Sequence, residues 1–204
     1  MYSPQVFVET DPERIQALVD VYPLGMLVTS TQGVPEVSHL PFVYQREGCH
    51  VPGKLLGHMA RMNAQWQDFS KEREVLVVFQ GPNAYVSPTW YEASGVPTWN
   101  YAVVHVRGTP RLVQDESVLT AMLDQLTRVH EASMPDPWPF DVEGGRRAKL
   151  LTMIVGFEIE ITQIHAKFKL SQNRSTEDQE RVAAHLKSSS CQTDNAVAAL
   201  MVGV

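Results

Sequence analysis

A chain of 204 residues, 44% hydrophobic and 20% charged, has the balance of a soluble globular protein with one substantial domain, alone or with an appended helical piece. Its net charge of −6 argues against a protein that coats nucleic acid by bulk electrostatics, though it leaves room for a local basic face. No apolar run approaches the roughly 18 residues that span a bilayer. Residues 1–7 lack the basic and apolar regions of a secretion signal, and Cys49 and Cys191 sit in no CxxC pair and read as reduced thiols. A cytoplasmic protein is expected.

Thr10-Asp11-Pro12-Glu13 reads as a helix start, with Thr10 as cap and Glu13 completing a capping box. Ile15, Leu18, Val19 and Tyr22 share one face of that helix, and Pro23 ends it. Strands are predicted for Leu24 to Ser30, Glu36 to Tyr44 and Lys54 to Met59, the first two joined by the turn Thr31-Gln32-Gly33. A short helix is predicted from Arg61 to Phe69. Further strands follow at Glu74 to Gln80, Ala84 to Ser87 and Trp99 to Arg107, the last continued past Gly108 by Arg111 to Val113. Asp115 opens an amphipathic helix to His130, with Val118, Leu119, Met122, Leu123, Leu126 and Val129 inward. Pro135, Pro137 and Pro139 form a rigid linker around Trp138. A helix from Gly145 to Thr152, a strand from Ile154 to Ile164 and a terminal helix from Glu177 to Lys187 complete the chain. Six or more antiparallel strands with inserted helices point to a mainly β, Greek-key barrel.

Three segments carry unusual chemistry. Phe79-Gln80-Gly81-Pro82-Asn83-Ala84-Tyr85-Val86-Ser87-Pro88-Thr89-Trp90-Tyr91 and Pro97-Thr98-Trp99-Asn100-Tyr101 place rings and amides beside turn residues. They read either as a surface for a flat, hydrogen-bonding heterocycle such as a flavin or as an aromatic mini-core under a loop. Lys167-Phe168-Lys169-Leu170-Ser171-Gln172-Asn173-Arg174 reads as a phosphate or subunit clamp, or as a basic surface strand. Gly57-His58-Met59-Ala60-Arg61-Met62-Asn63 joins a strand to a helix and suits a phosphate, or is simply a solvated first turn. His39 is mid-strand, either in the core or facing a ligand. The seven histidines show no HxxxH or HxH spacing, so metal ligation is not expected. There is no GxSxG, no GxGxxG and no GxxxxGK[ST], and Cys49 has no evident activating partner.

Taken in order, these segments resemble the PaiB family of FMN-binding negative transcriptional regulators. The resemblance rests on Met1-Tyr2, Pro4, Phe7 and Asp11; on Gly57-His58, Ala60-Arg61 and Asn63; and on Gly81-Pro82 with Ala84-Tyr85-Val86-Ser87-Pro88 and Trp90-Tyr91. Pro97-Thr98-Trp99-Asn100-Tyr101 with His105, and Lys169-Leu170-Ser171-Gln172-Asn173-Arg174, complete it. It runs from residue 1 to about 175, and Met62 and Ala64 depart from the pattern. The resemblance implies a homodimeric FMN-binding split β-barrel over residues 1–175, with a C-terminal helical extension over 176–204. FMN would lie in the crevice between subunits, its phosphate near Arg61 and Asn63. His39, Leu40 and Gln80 would flank the isoalloxazine, with His58 beside them. Trp99, Asn100, Lys169, Gln172 and Arg174 would close the site from the partner chain.

Two functions follow from the resemblance. One is a repressor-type regulator with flavin as a redox or metabolic signal, touching DNA through a local patch such as Arg146, Arg147 and Lys149, since no helix-turn-helix is evident. The alternative is a flavin-dependent oxidoreductase or haem-degrading enzyme of the split-barrel class, because a fold does not fix a function. No acid–base pair in the sequence names itself as catalytic.

Overall fold

The computed structural model describes residues 1–31, 33–48, 51–71, 73–139 and 144–202. Among the described residues there are seven strands: β1 (Val8–Glu9), β2 (Leu24–Thr31), β3 (Val34–Glu47), β4 (Val51–Ala60), β5 (Val75–Val86), β6 (Thr98–Val113) and β7 (Ile154–Lys169). Their order in the sheet is β1-β7-β4-β3-β2-β5-β6, with a further pairing of β7 to β6. The registers are antiparallel. β2, β3 and β4 form a meander, and β5 returns to lie beside β2, which is the strand order of a Greek key. Helices α1 (Pro12–Val21), α2 (Glu116–Glu131), α3 (Gly144–Thr152), α4 (Thr176–Lys187) and α5 (Gln192–Met201) are inserted or follow. The expected mainly β, Greek-key architecture is what the chain adopts. Among the described residues no helix is long and apolar enough to cross a membrane.

The chain divides into two compact units, one of Met1–Leu18, Gln80–His105 and His165–Val204, the other of Val19–Phe79 and Val106–Ile164. In the second unit the strands bury both faces. Phe42, Leu55, Val77, Phe79, Phe157 and Ile159 turn to one side, and Phe42 meets Phe79 and Phe157 edge-on at centroid distances of 5.8 and 6.1 Å. Their strand neighbours Val43 and Leu56 turn to the other side, where Leu119, Met122 and Leu126 of α2 and Leu151 of α3 cover them. This double burial explains the unbroken apolar runs in β3 and β4. The N-terminus of α2 is held by Asp115, whose carboxylate accepts from the Ser117 and Val118 amides at 2.8 and 3.1 Å, a cap worth about 1 kcal/mol.

In the first unit Phe7, Val86, Val104, Phe168 and Leu170 are buried together with Val182 and Leu186 of α4 and Val197 of α5. Asp178, buried on α4, accepts the Glu92 amide at 2.8 Å and ties that helix to the 3-10 turn Pro88–Trp90 and its exit.

Several element boundaries differ from the sequence reading. The cap of α1 is Asp11, accepting the Glu13 amide at 2.9 Å, rather than Thr10. Thr10 instead gives its amide to Glu9. The expected helix from Arg61 is a 3-10 helix, Ala64–Lys71, because β4 continues to Ala60 and a turn must follow before Asn63 can cap it. The two strands expected at 74–80 and 84–87 are one, Val75–Val86. Gly81 does not break it: a Cβ there would stand 2.7 Å from Leu18, so the glycine serves close approach. β7 runs on to Lys169, making Lys167 and Lys169 strand residues. Val118 and Val129 are 53% and 48% exposed rather than inward, so α2 buries a narrower stripe of Leu119, Met122 and Leu126. Helix α5 follows the serine-rich segment unannounced by any strong apolar period. Cys49 and part of the turn at Gln32 lie outside the described residues.

Gly108 of the second unit is closely hemmed in by backbone. A Cβ at this position would lie 2.4 Å from the Glu160 carbonyl oxygen and 2.6 Å from Ile159 Cγ2. Backbone cannot yield as a side chain can, so Gly108→Ala is expected to cost about 2–3 kcal/mol, read as a lower urea midpoint at unchanged m-value.

Candidate functional site

The register of β4 leaves part of the sheet open. From Lys54 to Gly57 it pairs on one side with β3 and on the other with β7. His58, Met59 and Ala60 pair with β7 alone. Residues 34–41 of β3 therefore have a strand partner, β2, on one side only among the described residues. The alternation of backbone direction there is fixed by Phe42, whose amide donates to the Pro23 carbonyl at 2.9 Å. By that two-residue period Pro35, Val37, His39 and Pro41 turn their main-chain groups away from β2. Prolines at two of these positions fit an edge, since neither has an N–H to leave unpaired.

Side chains from the next segment gather along this edge. Asn63 Nδ2 donates to Ser38 Oγ at 2.8 Å, while its Oδ1 accepts the Gln65 amide at 3.0 Å and caps the 3-10 helix. Gln65, buried to 4% exposure, reaches the Leu27 and Glu36 carbonyls at 3.2 and 3.1 Å and Thr29 Oγ1 at 3.2 Å. One amide thus bolts the open half of β3 to the turn after β4. Arg61 donates from Nε to the Thr152 carbonyl and from Nη2 to the Ile154 carbonyl, both at 2.8 Å, and its own carbonyl accepts from Trp66 Nε1 at 3.0 Å. Among the described residues its Nη1 has no protein partner.

His39 is exposed, so the core reading does not apply to it, and Leu40 is half-buried. His58 is half-buried on β4 with Nδ1 enclosed and unpaired. Burial pushes its pKa down, holding the ring neutral near pH 7. Gln65 Oε1 is likewise enclosed without a partner. The outward main-chain groups of Val37 and His39, on an edge with no strand partner among the described residues, are what a hydrogen-bonding heterocycle would satisfy, so the residues present fit a flavin.

The remaining expected residues belong to the first unit. Gln80 is exposed on β5. Trp99 is 53% exposed and meets Tyr85 edge-on at 5.9 Å. Lys169 Nζ donates to Thr98 Oγ1 at 2.6 Å and to the Trp99 carbonyl at 2.5 Å. Asn100 is fully buried, its amide exchanging hydrogen bonds with Ser171 Oγ at 2.9 and 3.2 Å. Ser171 has a φ of 68°, a left-handed conformation that this buried pair holds in place. Gln172 closes the same bend: it donates to the Phe168 carbonyl at 2.6 Å and accepts the Leu170 amide at 2.7 Å. Arg174 lies apart from these, its guanidinium 4.1 Å over the Tyr91 ring. The structure thus joins Trp99, Asn100, Lys169 and Gln172 around one strand end, and Asn63 to the strand that bears His39 and Leu40. Gln65 was missed in the sequence, where an amide between Ala64 and Trp66 gives no sign of burial.

The family model described as "Putative FMN-binding domain" matches residues 1–163. Protease synthase and sporulation protein PAI 2 of Bacillus subtilis is 37% identical over 191 residues, spanning 92% of this chain and 89% of that protein. The FAD and heme binding protein of Mycobacterium smegmatis aligns in three dimensions with a TM-score of 0.63 at 16% identity, covering 87% of this chain and 79% of that one. The flavocytochrome Anf3 of Azotobacter vinelandii gives 0.63 at 17%, covering 85% and 75%. At such identities these two likenesses speak for the split-barrel fold alone. The sequence match over nearly the whole chain says more: the protein belongs to the PaiB family of FMN-binding proteins, whose cofactor is a flavin.

Proposed function

We propose that this chain is an FMN-binding negative transcriptional regulator of PaiB type, acting as a homodimer with flavin at the subunit interface. The observation that carries the flavin site is the one-sided pairing of residues 34–41 of β3, with Asn63 bonded to Ser38. The outward main-chain groups of Val37 and His39 offer a donor and acceptors to the pyrimidine edge, and Leu40 an apolar surface to the ring. Asn63 and the free Nη1 of Arg61 receive the phosphate. Gln80 flanks the ring system, and Trp99 of the partner subunit covers it. Asn100, Lys169 and Gln172 hold the strand end that carries the tryptophan. Bound FMN supplies a redox centre, and the chain orients it and limits its access to water. Arg146 and Lys149, exposed on α3, are the cations offered to DNA.

FMN titration followed by flavin fluorescence is expected to give one site per subunit in a dimer confirmed by sedimentation. Arg61→Ala should weaken FMN about ten- to a hundredfold while leaving riboflavin, which lacks the phosphate, nearly unchanged. Full FMN affinity in that variant removes Arg61 from the site. For the regulatory role, a gel shift at moderate salt should show binding to promoter DNA tighter than to random duplex. No preference in either flavin redox state sinks direct repression, and NAD(P)H oxidation above the free-FMN background then favours the oxidoreductase.

The neutral His58 gives a stability signature. Its folded pKa lies below the unfolded value of about 6.5, so the unfolded state binds the proton more readily. No penalty exists above about pH 6.5. Stability falls as pH drops from there towards the folded pKa, and the full loss is reached below it. His58→Gln should flatten this fall, seen as a smaller difference between urea midpoints at pH 5 and pH 8 than in the parent protein.

A further inference from the structure

The first unit holds two cations in an aromatic hollow. Tyr2, Phe7, Trp99, Tyr101, Lys167 and Lys169 line, with three smaller residues, an open pocket of about 450 Å³, a size usual for small-ligand sites. Lys167 is only 8% exposed, and its ammonium lies 5.2 Å from the centroid of Tyr101 and 5.8 Å from that of Tyr2. Among the described residues its ammonium donates to the Tyr2 carbonyl at 3.3 Å. Lys169 stands 5.8 Å from the Phe7 centroid and spends two donors on Thr98 and Trp99. Among the described residues neither ammonium pairs with a carboxylate.

Lysine ammoniums are rarely buried without a counter-ion, because desolvation is then uncompensated. Burial, together with repulsion from Lys167 and Arg174, pushes the pKa of Lys169 down. With three donors each, Lys167 retains two N–H groups and Lys169 one. Three convergent donors suit the two oxygens of a carboxylate, and the surrounding rings suit a flat apolar body attached to it.

We propose that this pocket binds a small aromatic carboxylate, its carboxylate between Lys167 and Lys169 and its ring against Phe7, Trp99 and Tyr101. The site lies within a single chain and is additional to the flavin: of its residues only Trp99 touches FMN in the proposed function, where Lys169 holds the strand end that carries it. Such a ligand would be an effector or substrate of the family's flavin chemistry, and its binding does not depend on where FMN sits.

The test is calorimetry on the purified full-length chain, FMN-free and FMN-loaded, with benzoate, acetate, benzamide and inorganic phosphate as probes. Benzoate should bind at one per chain in both forms with a Kd on the order of 0.1–1 mM. It should bind about tenfold or more tightly than acetate, which lacks the ring, and than benzamide, which lacks the charge. Lys167→Met and Lys169→Met should each weaken benzoate about tenfold or more, whereas Lys54→Met, in the other unit, should not. Lys169 is half-buried and serves as the readout if the more enclosed Lys167 variant does not fold. Benzoate binding no tighter than acetate, or unaltered by Lys169→Met, overturns the proposal. So does phosphate binding tighter than benzoate. Displacement of benzoate by FMN also overturns it, because the cations then belong to the flavin. A failed FMN titration with intact benzoate binding would count against the flavin site alone.

Discussion

One strand with two allegiances organises the second unit. β4 is shared between β3 and β7 over four residues and then follows β7 only. That divergence opens the sheet without leaving it loose, because Asn63 holds the Ser38 side chain and Gln65 holds the Leu27 and Glu36 carbonyls of β2 and β3 from the turn after β4. A buried glutamine reaching three acceptors is costly to displace, since the enclosed site would forfeit all three contacts at once. The edge of β3 is therefore held still while its own hydrogen-bonding groups remain on offer. Preorganised groups of this kind bind a rigid planar molecule at little entropic cost.

The architecture was legible because the strands obey simple periodicities. Phe42 and Val43, or Leu55 and Leu56, read as apolar runs because α2 and α3 bury the second face of the sheet. What misled was punctuation. Gly81 looks like a break in one-dimensional form, yet it serves close packing inside a continuous strand, as Gly108 does in the strand read as running past it. Local signals could not tell Asp11 from Thr10 as a cap, because both can accept the same amides. Helix α5 escaped notice because its buried residues are small, chiefly Val197 and Ala198.

The site was legible in type more than in detail. Asn63 and Arg61 were chosen for phosphate chemistry, and the fold places one on Ser38 and ties most of the other to the carbonyls of Thr152 and Ile154. Asn100 and Gln172, chosen as polar donors, have their amides engaged around the left-handed Ser171. Sequence conveys that an amide is present but not which long-range partner will claim it. Gln65 could not have been singled out, since its buried contacts are to residues 29 or more positions away.

The placement of Pro35 and Pro41 bears on what happens when the edge has no occupant. A bare strand edge is a template on which a second copy can add, then a third, until a fibre grows. Each added strand needs a regular row of donors, and here two of four outward positions supply none. The remaining N–H groups, at Val37 and His39, are too few to seed an extended ladder yet enough to grip a small heterocycle. Pro35 and Pro41 thus work against the growth of such a ladder from a bare edge.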